Sequence, residues 1–259
     1  MKIEPIRAFQ DNYIWLLTDQ HSSTAWVVDP GEAHNLLAIL QKRRLELTGI
    51  LITHHHADHC GGVAELLSHY PNVFIYGADQ TSIPQINHPV HEGETFDCMS
   101  MKVTVLAIPG HTLDHVAYLV ADNLFCGDTL FSVGCGKIFE GTAAQMYHSL
   151  NKINQLDEAT KIYCGHEYTL ANLNFAQLVD PDNPDLHSKL LNATHAMRDH
   201  GCTLPSSLKE ERKSNPFLRC TAPEIIENVS KHIAKNLVDP IEVFYYLRAW
   251  KNKEPNPKT

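Results

Sequence analysis

Short apolar runs closed by turn residues fill the first two-thirds of the chain, and helix-period apolar stripes fill the last third. Residues 2–7, 13–18 and 25–28 read as strands, the last ending in the turn Asp29-Pro30-Gly31. Leu36, Leu37 and Leu40 mark a helical face. The run Ile50-Leu51-Ile52 reads as a buried strand, and Gly61-Gly62 breaks the chain before a helix carrying Val63, Leu66 and Leu67. Further strands are expected at 73–76, 103–108, 116–120, 124–126 and 161–164, with a helix at 143–153. Residues 77–94, with Pro84 and Pro89, read as loop, and 131–141, around Gly134-Cys135-Gly136-Lys137, as a mobile loop with one cation.

After Glu167 the strand pattern stops. Asn183-Pro184 opens a helix with Leu186, Leu190, Ala193 and Met197 on one face, ending at Gly201. Thr221-Ala222-Pro223-Glu224 has the form of a capping box, and Asp239-Pro240 opens a last helix. Two domains follow from this change of period: a mixed one over 1–166 and a helical one over 167–259.

Composition narrows the class. Of 259 residues 43% are hydrophobic and 20% charged, which excludes a disordered chain. The net charge of −9 argues against a nucleic-acid partner while leaving room for a local basic patch. No apolar run is long enough to span a bilayer and no signal-peptide pattern opens the chain, so a cytoplasmic monomer is expected. The seven cysteines include no C-x-x-C pair, which points to reduced thiols.

The chemistry sits at strand ends. After Ile52 come His54, His56, Asp58 and His59, four metal-type side chains within six positions. Residues two apart in extended backbone point the same way, so His54 and His56 can share one ion. A turn then brings Asp58 and His59 round. Such donors suit zinc, iron or manganese, and four exceed half of an open catalytic site. Later strands end at His111, Asp128 and His166, each beside a glycine. Asp29 is either a turn residue or a carboxylate orienting a histidine ligand. His115 is either a further ligand or a structural hydrogen-bonding group, while His88 and His91 read as surface histidines. By spacing alone Arg248 and Lys251 form a solvated basic face.

The pattern His54-x-His56-x-Asp58-His59 with His111, Asp128 and His166 resembles the metallo-β-lactamase superfamily. The segments Cys126-Gly127-Asp128-Thr129, Gly134-Cys135-Gly136-Lys137, Gly165-His166-Glu167-Tyr168-Thr169, Asn215-Pro216-Phe217-Leu218-Arg219 and Arg248-x-x-Lys251 are similar to the glyoxalase II (hydroxyacylglutathione hydrolase) family. The resemblance implies an α+β fold, an αβ/βα sandwich followed by a smaller all-helical domain. It implies two divalent metals, zinc first and iron or manganese next. His54, His56 and His111 would hold one, Asp58, His59 and His166 the other, and Asp128 would bridge. It further implies a glutathione thioester, S-D-lactoylglutathione, as substrate, with Lys137, Phe139, Tyr168, Arg248 and Lys251 contacting it. Asp58 and Asp128 would serve catalysis by a hydroxide between the metals. Phe139 stands where some members carry tyrosine, and Asp114 where glycine is usual. The competing expectations are a mononuclear iron persulfide dioxygenase of the same superfamily and a catalytically silent metal-binding module.

Overall fold

The computed structural model describes residues 1–254; the end of the expected helical domain, 255–259, lies outside the described residues. The chain begins with β1 (Lys2–Ala8), β2 (Asn12–Thr18), β3 (Thr24–Val28), α1 (His34–Arg43) and β4 (Glu46–Leu51). Next come α2 (Ala57–Cys60), α3 (Val63–His69), β5 (Phe74–Ala78), β6 (His88–Val90), β7 (Thr95–Cys98) and β8 (Met101–Ala107). Then follow β9 (Val116–Val120), β10 (Asn123–Gly127), β11 (Leu130–Phe131), β12 (Gly134–Cys135), α4 (Ala143–Asn154) and β13 (Lys161–Cys164). The remainder is α5 (Thr169–Val179), α6 (Pro184–His200), β14 (Ser206–Ser207), α7 (Leu208–Ser214), α8 (Pro223–Ile233) and α9 (Pro240–Lys253).

Strand alternation builds the layers. In β2, Tyr13, Trp15 and Leu17 face inward while Ile14 and Leu16 face outward, and all five are buried. The first sheet has the order β1-β2-β3-β4-β5-β6 and the second β14-β13-β10-β9-β8-β7. Trp26, Val28 and Leu51 of the first meet Val105, Tyr118, Phe125 and Tyr163 of the second in the inner layer. Outside the first sheet, α1 and α3 supply Leu36, Leu40, Val63 and Leu66. Outside the second, Met146, Leu150 and Ile153 of α4 join Phe217, Phe244 and Leu247 of the helical region. Each such fully buried side chain contributes roughly 2 kcal/mol of apolar burial. The result is the expected αβ/βα sandwich with a helical region against one outer face.

Several local expectations are corrected. The supposed loop at 77–94 contains β6, paired parallel with β5; Pro89 is tolerated because β6 is an edge strand. His88 therefore belongs to a strand, whereas His91 is an exposed loop residue paired with Glu94. The β7–β8 hairpin turns through Met99 and Ser100, both at positive φ (51° and 64°), without the glycine or asparagine that usually announces such a turn. The segment 131–141 is no free loop: β11 pairs with β12, and residues 131–136 are buried. No capping box forms at Thr221, since the cap position is Ala222 and Glu224 instead pairs with Arg219. The helical region also returns one strand, β14, to the edge of the second sheet beside β13.

Candidate metal centre

Five strand ends open at one edge of the sandwich. β3 delivers Asp29, β4 runs on to Thr53 and His54, β8 leads to His111, β10 to Asp128 and β13 to His166. The two sheets are tied there by the Tyr13 amide to Gly165 O at 2.8 Å and Trp15 Nε1 to Cys164 O at 3.0 Å. A methyl group on Gly165 would sit 2.6 Å from Asp128 Oδ1 and 2.5 Å from His59 Cε1. Only glycine lets the end of β13 approach so closely.

All seven expected donors come together, in two sets. In the first, His54 Nε2 and His111 Nε2 each lie 3.1 Å from His56 Nδ1. The other nitrogens of His54 and His111 are engaged elsewhere. Thr53 Oγ1 donates to Asp29 Oδ2 at 2.7 Å and so accepts from His54 Nδ1 at 3.0 Å. His111 Nδ1 donates to Lys137 O at 2.6 Å. Both Nε2 atoms therefore carry lone pairs, and together with His56 Nδ1 they form a three-nitrogen face that a cation satisfies and a single shared proton does not.

The second set comprises Asp58 Oδ2, His59 Nε2 and His166 Nε2. His166 Nε2 is 3.3 Å from His59 Nε2 and 3.4 Å from Asp58 Oδ2. Here too the outer nitrogens are fixed, His59 Nδ1 on Asp29 Oδ2 at 2.9 Å and His166 Nδ1 on Asp11 Oδ1 at 2.7 Å. Asn12 Nδ2 donates to Asp58 Oδ2 at 2.9 Å. Asp128 lies between the sets: its Oδ2 is 3.5 Å from His111 Nε2 and 3.2 Å from His166 Nε2. Its Oδ1 is buried without a hydrogen-bond partner, an acceptor left open between the two sets. The donor chemistry and that orphaned oxygen fit divalent metal binding.

The sets differ in protonation. Burial, with the like charges of His59 and His115, holds His54 well below the usual imidazole value. His56 and His111 are also lowered by burial, the latter despite Asp128. His59 behaves oppositely: burial lowers it, but Asp128 and Asp29 outweigh burial and raise it well above the usual value. His166 likewise loses to burial but is carried to about 9 by Asp128 and Asp11. Burial opposes ionisation of Asp128, yet His166 and His59 keep its carboxyl well below the usual range.

The two open questions of the sequence resolve here. Asp29 orients both His59 and Thr53, and its left-handed backbone (φ 51°) makes it a turn residue as well. His115 Nε2 accepts from the Asp128 amide at 3.1 Å while its ring stacks on His54, so it supports the donors without joining them. Burial drives its pKa down to about 3. Burial also raises the Cys60 and Cys135 thiols, the latter to about 11, which suits structural roles.

Beside the donors opens a cavity of about 330 Å³ whose lining includes His111 and Asp128 together with Lys137, Phe139, Tyr168, Arg248 and Lys251. Every expected substrate residue is there. Tyr168 stacks on His166 with centroids 4.8 Å apart. Arg248 and Lys251 are buried rather than a solvated face: Arg248 Nη1 donates to Cys135 O at 2.7 Å and Lys251 Nζ to Ala171 O at 3.2 Å. Burial lowers the Lys251 pKa to about 8.

Other supporting residues were missed. Asp11 and Asn12 gave no signal beyond a turn between strands. The β11–β12 hairpin, which sets the path from Asp128 to Lys137, is clasped by the helical region. Val133 N donates to Glu211 Oε2 at 2.7 Å, and Asn215 Nδ2 to Gly134 O at 3.0 Å. Glu211 is fully buried, with Lys189 Nζ at 2.5 Å from its Oε1. The Asn215 motif stands out only through the family resemblance.

Comparison with known proteins agrees with this geometry. Residues 9–166 match the metallo-beta-lactamase superfamily, and residues 167–254 match the family described as hydroxyacylglutathione hydrolase C-terminus. The chain is 47% identical over 250 residues to a hydroxyacylglutathione hydrolase of Nitrosomonas eutropha, covering 96% of this chain and 97% of that one. It is 45% identical to one of Vibrio cholerae, with 98% and 99% covered. Among solved structures, ETHE1 from Myxococcus xanthus superposes with a TM-score of 0.66 at 25% identity, covering 97% of this chain and 98% of its own. TTHA1623, crystallised in a di-iron-bound form, shares the fold at 22% identity with a TM-score of 0.58, covering 84% of this chain and 100% of its own. The two donor sets, the helical region behind them and these near full-length relatives lead to one conclusion: the chain belongs to the hydroxyacylglutathione hydrolase family, within the metallo-β-lactamase superfamily.

Proposed function

We propose that the protein hydrolyses S-(2-hydroxyacyl)glutathione thioesters, S-D-lactoylglutathione foremost, to glutathione and the hydroxy acid. His54, His56 and His111 would hold one divalent ion and Asp58, His59 and His166 a second, with Asp128 between them. The imidazole and carboxylate donors accept zinc, iron or manganese alike, and the family resemblance puts zinc first. When bound, such ions supply Lewis acidity and a water acidified toward neutrality, the nucleophile that thioester cleavage needs.

The chain's own residues do the rest. Asp128, kept ionised by His166 and His59, links the two donor sets. Asp58 is held toward the second set by Asn12. Arg248 and Lys251 offer buried positive charge to the carboxylates of glutathione, and Lys137 adds a third cation. Tyr168 and Phe139 give the cleft flat walls. The Cys60 and Cys135 thiols are raised and take no part as nucleophiles.

One observation carries this reading: the five substrate-facing residues and two of the donors line a single cavity. It supports a division of labour in which residues 1–166 carry the donors and the helical part from 167 completes the substrate cleft. One chain supplies every residue involved, in keeping with a monomer acting on a small cytoplasmic thioester. Among the described residues no helix is long and apolar enough to cross a membrane. The helical part with Arg248 and Lys251, and the near full-length hydroxyacylglutathione hydrolase relatives, favour the hydrolase over a single-iron dioxygenase. Metal-replete protein is expected to consume S-D-lactoylglutathione with release of glutathione thiol; no thiol release with both sets filled would refute the proposal.

A further inference from the structure

One cluster of titratable side chains has no part in the function above. His55 lies between two donor histidines in sequence, yet its ring belongs to neither donor set. Its Nδ1 is 3.0 Å from Asp114 Oδ1, and its Nε2 is 3.3 Å from Glu140 Oε1. Asp114 is buried and its Oδ1 also accepts from the Thr112 hydroxyl at 2.7 Å. The second oxygen of Glu140, Oε2, accepts from the Leu113 amide at 2.9 Å. Because the two carboxylates engage opposite nitrogens of the ring, the contacts describe a clasp rather than a third cation site.

Three segments meet at this ring. One is the donor loop itself. The second, after β8, carries His111 and Asp114. The third, before α4, carries Lys137, Phe139 and Glu140. The second and third run side by side, with the Phe139 and Glu140 amides donating to His111 O at 3.1 and 3.3 Å and the Gly141 amide to Gly110 O at 3.2 Å. Phe139 packs edge-on against His56 and His111, with centroids 5.4 and 5.2 Å away, and Lys137 Nζ lies 5.2 Å from the Phe139 ring centre. Yet Lys137, Phe139 and Glu140 are exposed, so side-chain packing does little to hold this wall. The restraint comes from the backbone pairing with 110–111, from His111 Nδ1 on Lys137 O and the Leu113 amide on Glu140, and from the His55–Glu140 contact. Among the described residues, that last contact alone ties the wall to the donor loop through a side chain outside the donor sets.

We propose that His55 is a positioning residue for the substrate cleft. Through Nε2 it holds Glu140, and with it Phe139 and Lys137, against the donor loop in the geometry that receives the glutathione part of the substrate. Asp114 fixes the ring so that Nε2 points at Glu140. The inference rests on the thioester reading given above, and its consequence is specific: loss of the clasp weakens substrate binding without disturbing the chemistry or the metals.

Asparagine at position 55 carries an amide where Nδ1 stands, and glutamine carries one where Nε2 stands. The test therefore compares His55→Ala, His55→Asn and His55→Gln in the metal-loaded protein. In the alanine and asparagine variants KM for S-D-lactoylglutathione is expected to rise about fivefold, the worth of one hydrogen bond, with kcat within about twofold and metal content unchanged. Glutamine is expected to restore KM. Amide hydrogen exchange over 137–141, read without substrate, is expected to quicken in the alanine and asparagine variants and to stay slow with glutamine. Unchanged KM and exchange in His55→Ala, rescue by asparagine but not glutamine, or loss of metal in these variants would each overturn the proposal. If the wild-type protein fails to cleave the thioester, the functional reading falls, and the exchange measurement still decides whether His55 holds the wall.

Discussion

The two donor sets draw on one short loop, residues 54–59, yet the fold prepares them differently. The three-imidazole set is proton-free near neutrality, because burial and neighbouring imidazoles lower His54, His56 and His111. The carboxylate-bearing set is protonated, because Asp128, Asp29 and Asp11 overcome burial at His59 and His166. Adjacent residues thus meet opposite electrostatics according to the strand ends they face. A metal entering the first set finds lone pairs ready, whereas one entering the second must displace protons.

Asp128 joins the two regions, and its loss is expected to have the largest effect. Asp128→Ala should empty both sets and lower kcat/KM on the order of a thousandfold or more, measured as thiol release beside metal analysis. Two retained metals would show the sets to be independent. Asp11→Ala should act on one set, since His166 is the metal-type side chain that Asp11 holds. Its expected cost is about 10–100-fold in affinity for one metal, with the other unaffected, read by competition with a chelator. Equal weakening of both metals would erase the distinction.

Acidity separates the sets more gently. His166 has a folded pKa raised to about 9, so below that pH a proton competes with the second metal, at about tenfold per pH unit. In the first set all three imidazoles are lowered, so such competition begins only below the ordinary imidazole value. Dialysis from pH 8 to pH 6 against weak chelator should therefore strip one metal and leave one. In the metal-free protein the same shift stabilises the fold fully below the unfolded pKa of about 6.5 and is lost as pH rises through about 9. The smallest effect lies in the cleft. Lys251, lowered to about 8 by burial, should lose its charge above that pH and let KM rise several-fold while kcat holds. Lys251→Arg should flatten that rise.

The seven donors are legible because their signals are local: an apolar run, a glycine, and a metal-type side chain at the strand end; the sandwich follows only from the family resemblance. What escaped reading depends on distant partners. Asp11 looks like any turn residue until His166, 155 positions away, arrives beside it. Glu211 lies in the charged run Lys209-Glu210-Glu211-Arg212, where nothing local sets it apart, yet it is fully buried against Lys189, Asn215 and Val133. Arg248 and Lys251 looked like a surface face for the same reason. The β7–β8 turn was hidden because Met99 and Ser100 adopt a backbone that composition does not announce.

The central claim is that two unequally prepared sets form one hydrolytic centre, and a metal titration tests it most directly. Metal-free protein would receive measured equivalents of zinc at pH 7.5 while hydrolysis of S-D-lactoylglutathione is followed. The account predicts little activity at the first equivalent, proton release chiefly with the second, and full activity only when the second set fills. Full activity at one equivalent, or none at two, would contradict it.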